Sequence, residues 1–224
     1  MFMKRIAHRG LSARYPENTL LAFEKALEAK ADGIEADLML SADHVIILFH
    51  DDNLKRLTGQ DAQPETLSLE ALRALRVNKT EQIPTLGELL SLTDAKATLI
   101  LEVKYHPKTY KKLCEILIEQ IKGKETWIEV SCFEDKVLKY IHTLNPHIRL
   151  HKLIEDCGVL ESKSFDETFS YVSYLDIDVA LRKKVLQLNL LARYKVIFWT
   201  VEKENLEKEI EAGLYGIMVN DVSV

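Results

Sequence analysis

The chain is poor in cysteine. Cys114, Cys132 and Cys157 are odd in number, lie far apart and match no paired spacing for a metal. This excludes the disulfide framework that staples small secreted domains and reads as free thiols in a reducing compartment. Basic residues are not in excess either: 30 Lys and Arg stand against 35 Asp and Glu, a formal net charge of -5. With no basic block to neutralise a run of phosphates, nucleic acid is not an expected partner. No window approaches the ~18 consecutive apolar residues of a membrane span. The first ten residues carry no apolar stretch followed by a small-residue cleavage site. The expectation is a cytoplasmic protein, neither exported nor membrane-spanning.

What the chain does have is enough apolar content, 47% over 224 residues, for one sizeable core. Short apolar runs alternate with helix-period segments throughout, the pattern of parallel strands joined by crossover helices. Strands are expected at Lys4 to Ala7, Gly33 to Met39, Thr98 to Val103, Trp127 to Ser131, Arg149 to Ile154, Tyr171 to Ile177, Val196 to Thr200 and Gly216 to Val219. Between them, Asn18 or Thr19 can cap a helix with the face Leu20, Phe23, Leu27, and Thr85-x-x-Glu88 is a capping box. Eight strands with alternating helices predict a closed α/β (β/α)₈ TIM barrel, a single domain over residues 1–224.

Two features depart from a plain barrel. After the second strand, Ser41 to His44 reads as a tight turn that sends Val45 to Phe49 back toward Asp37 and returns His50 to the barrel mouth. Residues 51–82 then form a small cap-like insertion with one short helix, Leu69 to Leu75. The eighth strand is followed by only a few residues, so its outer helix is expected to be truncated. An apolar strip left on the barrel exterior would then call for a second subunit in a homo-oligomer.

Function in such barrels concentrates at the C-terminal ends of the strands. His8-Arg9 ends the first strand, Glu35 and Asp37 the second, Glu102 and Lys104 the third. Residues two apart in a strand share a face, so Glu35 converges with Asp37, and Glu102 with Lys104. Like charges crowded in a partly desolvated mouth require a compensating cation, and three carboxylates, Glu35, Asp37 and Glu102, suit one hard divalent ion, Mg²⁺ or Ca²⁺, better than Zn²⁺. His8 and His50 offer a proton acceptor and a proton donor. Arg9 and Lys104 can hold the non-bridging oxygens of a phosphate. Trp199 reads equally as a core aromatic and as a wall of the substrate pocket, and His44, His106, His142, His147 and His151 are assigned no role. The combination points to phosphodiester hydrolysis.

These residues resemble the glycerophosphodiester phosphodiesterases. The resemblance runs in order through Ile6-Ala7-His8-Arg9-Gly10, Pro16-Glu17-Asn18-Thr19, Gly33-Ile34-Glu35-Ala36-Asp37, His50-Asp51, Ile83-Pro84-Thr85-Leu86, Leu101-Glu102-Val103-Lys104, Val130-Ser131-Cys132-Phe133 and Trp199-Thr200-Val201. It implies hydrolysis of glycerophosphodiesters to an alcohol and sn-glycerol 3-phosphate, with His8 and His50 as acid/base pair, Glu35, Asp37 and Glu102 as metal ligands, and Arg9 and Lys104 as phosphate contacts. The short form resembles cytoplasmic members, which implies Mg²⁺ rather than Ca²⁺. Cys132 stands where the family has a second serine, a difference expected to touch packing only. A lysophospholipase D is the alternative within the enzymes, and an inactive phosphodiester-binding barrel the alternative outside them.

Overall fold

The computed structural model describes residues 3–202, 204, 206 and 210–223. Its strands are β1 Lys4–Ala7, β2 Gly33–Leu40, β3 Ile46–Leu48, β4 Thr98–Val103, β5 Ile128–Cys132, β6 Arg149–Ile154, β7 Tyr174–Asp178, β8 Val196–Trp199 and β9 Gly216–Val219. The hydrogen-bonded ladder runs β1, β9, β8, β7, β6, β5, β4, β2 and returns to β1. Eight parallel strands therefore close a TIM barrel, with β3 added antiparallel to the outer part of β2, Leu38 opposite Leu48 and Leu40 opposite Ile46. Around it lie the helices α1 Leu20–Glu28, α2 Lys55–Thr58, α3 Leu69–Ala74, α4 Leu86–Thr93, α5 Tyr110–Ile121, α6 Asp135–Leu144, α7 Cys157–Leu160, α8 Phe165–Thr168 and α9 Arg182–Gln187.

Strand alternation sorts the side chains into two cores. Ile34, Ala36 and Leu38 of β2 and Leu99, Leu101 and Val103 of β4 point outward into the main cluster, packed with Phe23, Leu86, Leu89, Leu113 and Leu117 of the helices. Ile6, Ile100, Tyr174, Ile197 and Met218 point inward and fill the barrel below the mouth. The insertion has a core of its own: Met39, Ile47, Phe49, Leu54, Leu57, Leu72, Val77 and Ile83, with Leu67, Leu69 and Leu75 against them. Its leucines are thus spent on packing within the insertion.

Some expectations are corrected. The sixth barrel strand starts at Tyr174 rather than Tyr171. Tyr171 and Val172 are apolar enough to read as strand, but they belong to the turn that follows α8. The insertion holds α2 and a 3₁₀ turn, Pro64–Thr66, besides the expected helix. No helix follows β9 among the described residues, yet the exposed apolar strip is absent: Ile217 and Val219 are buried in one cluster with Leu11, Leu214 and Val222, so that strip gives no argument for a partner subunit.

Candidate active site

The C-terminal turn of β1 depends on two unusual backbone conformations. Arg9 has φ 56° and Gly10 φ 82°. A Cβ at Gly10 would lie 2.7 Å from the carbonyl carbon of Ala22, so only glycine lets the chain pass α1 this closely. The turn aims the Arg9 N–H at Glu35, which accepts it on Oε2 at 2.9 Å. His8 donates its backbone N–H to Val219 and sets Nδ1 2.9 Å from Oδ1 of Asn220. An amide oxygen only accepts, so Nδ1 carries the hydrogen and Nε2 is free.

Three carboxylates converge as their spacing predicts. Oxygens of Glu35, Asp37 and Glu102 all lie within 4.8 Å of one another, and Asp37 is directly beside Glu102 in the β2–β4 ladder. Burial pushes the Glu35 carboxyl well above the usual carboxylate range, reinforced by Asp37 and Glu102. Burial and Asp37 raise Glu102 to about 7, against the pull of Lys104. Burial would raise Asp37 as well, but Lys104, Arg9, His50 and Asn18 outweigh it and keep that group ionised. Burial and mutual repulsion thus favour the protonated form of Glu35 and Glu102 over three ionised acids side by side. This donor set, hard oxygens with excess negative charge, fits a divalent metal ion.

The remaining residues surround these acids. β3 returns the chain so that Phe49 N–H reaches the Asp37 carbonyl at 3.1 Å, and His50 follows at the mouth. Its Nδ1 donates to Asp51 Oδ1 at 2.8 Å, leaving Nε2 free. Lys104 Nζ lies 2.8 Å from Glu102 and 3.6 Å from Asp37, and Arg9 Nε 3.2 Å from Asp37. Both cations are therefore held among the acids while remaining on the wall of the cavity. Burial and Arg9 lower the pKa of His8, so its imidazole is neutral near pH 7.

A cavity of about 210 Å³ joins these groups. His8, Arg9, Glu35, His50, Glu102 and Lys104 form its charged side, with Asp37 behind them at 1% exposure. Phe133, Leu153, Trp199 and Met218 form the apolar side, with Glu155 beside them. Trp199 is thus a wall, packed edge-on to Phe133 at 5.7 Å and anchored by its indole N–H to the Asp176 carbonyl at 3.0 Å. Among the described residues, no other histidine lines the cavity.

Sequence reasoning missed several participants. Asn18 does not cap α1, since Thr19 accepts the Ala22 N–H; Asn18 instead binds Asp37. Ser131 lines the cavity at 1% exposure, and its hydroxyl has no hydrogen-bond partner among the described residues. Its signal was the Val130-Ser131-Cys132-Phe133 motif, in which period 2 sends Ser131 and Phe133 inward. His151, read as a lone strand histidine, is fully buried inside the barrel, with Nδ1 3.0 Å from Asp176 and Nε2 2.9 Å from Glu129.

Residues 8–224 match the sequence profile of the glycerophosphoryl diester phosphodiesterase family. A glycerophosphodiester phosphodiesterase of Caldanaerobacter subterraneus subsp. tengcongensis is 31% identical over 227 residues, which cover 96% of this chain and 93% of that protein. A phosphodiesterase of Oleispira antarctica, solved in complex with the product sn-glycerol-3-phosphate, matches the fold with a TM-score of 0.85 at 25% identity, covering 98% of this chain and 94% of the other. The glycerophosphodiester phosphodiesterase of Thermotoga maritima has a TM-score of 0.85 at 24% identity, covering 100% and 96%.

Proposed function

The chain belongs to the glycerophosphoryl diester phosphodiesterase family, and we propose that it hydrolyses glycerophosphodiesters to an alcohol and sn-glycerol 3-phosphate by a metal-assisted mechanism in which His8 and His50 exchange protons with the substrate. The observation that carries this reading is the convergence, on one 210 Å³ cavity, of two histidines with free Nε2 atoms and the carboxylate cluster.

Glu35, Asp37 and Glu102 would hold one divalent cation, which when bound polarises the phosphate and offsets charge that develops on its oxygens. Mg²⁺ suits a set of only three protein carboxylates better than Ca²⁺, which takes roughly six to eight oxygens. Arg9 and Lys104, on the wall of the cavity, would hold the non-bridging phosphate oxygens.

His8, neutral near pH 7, takes the proton of the glycerol hydroxyl adjacent to the phosphate. That oxygen attacks phosphorus, the bond from phosphorus to the head-group oxygen breaks, and the departing alkoxide receives a proton from His50. Asp51, drawn down to about 2 chiefly by its hydrogen bonds with Arg56, is anionic and orients the His50 ring by accepting from its Nδ1, so that Nε2 faces the leaving group. In the second half His50 deprotonates a water that opens the cyclic phosphate, and His8 returns its proton to the glycerol oxygen. Holding nucleophile and phosphorus in one molecule removes most of the entropic cost of their encounter. Trp199 and Phe133 enclose the glycerol carbons, and the unpartnered Ser131 hydroxyl is left for a substrate oxygen.

The buried free thiols of Cys114 and Cys132 support a reducing, cytoplasmic setting. The proposal is tested with two substrates. Glycerophosphocholine has the neighbouring hydroxyl and bis(p-nitrophenyl) phosphate does not, so the first is turned over far faster despite its poorer leaving group. Equal rates would refute the intramolecular route.

A further inference from the structure

Glu17 and Arg56 line no part of the cavity, yet they connect two of its groups. Arg56 comes from α2, the four-residue helix of the insertion. Its guanidinium donates to both oxygens of two carboxylates: Nε and Nη2 to Asp51 at 2.6 and 2.9 Å, Nη1 and Nη2 to Glu17 at 2.9 and 2.8 Å. Asp51 in turn accepts from His50 at 2.8 Å, and Glu17 from Arg9 Nη1 at 2.8 Å. The charges alternate along one path, Asp51, Arg56, Glu17, Arg9, Asp37. With Arg56 removed, Asp51 and Glu17 would share a space with no cation between them. Asp51 would then be free to turn away from His50, and Glu17 would draw on Arg9 alone.

We propose that Arg56 is a positioning residue that ties the insertion to the reaction, holding Asp51 behind His50 and, through Glu17, Arg9 at the phosphate. This rests on the roles given above to His50 and Arg9. The planar fork of arginine is required, because a lysine ammonium cannot make two parallel bonds to each of two carboxylates. Half of the Arg56 side chain is exposed, and exposed ion pairs stabilise a fold little. Partners that orient a reacting group, by contrast, typically cost about 10–100-fold in activity when lost. The functional effect of removing Arg56 is thus large where the structural effect is small.

The test compares R56M, R56K and the parent protein with Mg²⁺ and glycerophosphocholine. Both variants are expected to melt within a few degrees of the parent, to lose about 10–100-fold in kcat and to show a raised KM. Guanidinium ion added to R56M should restore part of kcat. The ¹⁵N imidazole signals of His50 give a readout that needs no turnover: one tautomer, hydrogen on Nδ1, in the parent, and a mixture in R56M. Kinetic constants within twofold of the parent in R56M, or an unchanged His50 tautomer, would overturn the role of Arg56 while leaving the proposed reaction intact. Full rescue by R56K would also overturn it. A parent protein inert toward every glycerophosphodiester would count against the reaction itself, and the tautomer measurement would still decide whether Arg56 orients His50.

Discussion

Asn18 and Asp37 hold each other by a reciprocal pair of hydrogen bonds. The Asn18 Nδ2 amide donates to Asp37 Oδ2 at 2.7 Å, and the Asp37 backbone N–H donates to Asn18 Oδ1 at 3.2 Å. Asn18 adopts φ 54°, a left-handed conformation that asparagine tolerates better than most residues. One side chain from the β1–α1 loop thereby fixes the carboxylate at the centre of the acidic cluster. We predict that Asn18→Ala weakens Mg²⁺ binding by about 10-fold or more while the protein stays folded. Calorimetric titration with Mg²⁺ beside a circular dichroism melt measures both, and unchanged affinity would show that Asp37 needs no such support.

The acidic cluster predicts coupled binding of metal and release of protons. Glu102 is raised to about 7 and Glu35 also lies well above its ordinary value when no cation is present. Since the ionised forms are the ligands, protons compete with the metal, so affinity should fall as pH drops below about 7. Mg²⁺ titrations near neutral pH, in two buffers of different ionisation enthalpy, should report proton release. Identical apparent enthalpies in the two buffers would mean that no proton is displaced.

The division of labour between the histidines predicts a dependence on leaving group. A p-nitrophenyl ester of glycerol phosphate departs without needing a proton, so His50→Ala should lose far less activity toward it than toward glycerophosphocholine. His8→Ala should lose activity toward both, because the attacking hydroxyl must be deprotonated in either case. The reverse pattern would exchange the two roles.

Beneath the cavity, His151 makes the barrel interior sensitive to alkali. Burial opposes its charge, but Asp176 and Glu129 outweigh that and raise its pKa from 6.5 to about 9. A histidine whose pKa rises on folding stabilises the native state fully below 6.5, and this contribution is lost as pH climbs through about 9. Urea unfolding should therefore show stability declining between these limits. His151→Leu leaves Asp176 and Glu129 buried without their shared partner and should cost about 3–5 kcal/mol near neutral pH. A flat profile in the parent, or a stable variant, would contradict this.

The barrel was legible because its strands are apolar runs of the right length, and the first two, β1 and β2, begin at the residues their pattern indicated. The mouth was legible because period 2 forces Glu35 and Asp37 to one side of β2 and Glu102 to the same side of β4. Less visible were contacts that depend on short irregular segments. Arg56 sits on a four-residue helix too short to show periodicity, and Asn18 precedes a threonine that makes it resemble a cap. His151 looked isolated because its partners lie on two other strands, Glu129 on β5 and Asp176 on β7. Only the register of β6 between them brings the three together.

The central claim is that His8, His50 and the Glu35, Asp37, Glu102 cluster together cleave the head-group side of a glycerophosphodiester. Phosphorus NMR of glycerophosphocholine incubated with the protein and Mg²⁺ follows that cleavage directly. The account predicts conversion to sn-glycerol 3-phosphate, abolished by chelation and by His8→Ala or His50→Ala. Accumulation of phosphocholine, or no reaction in the presence of Mg²⁺ or any other divalent cation, would contradict it.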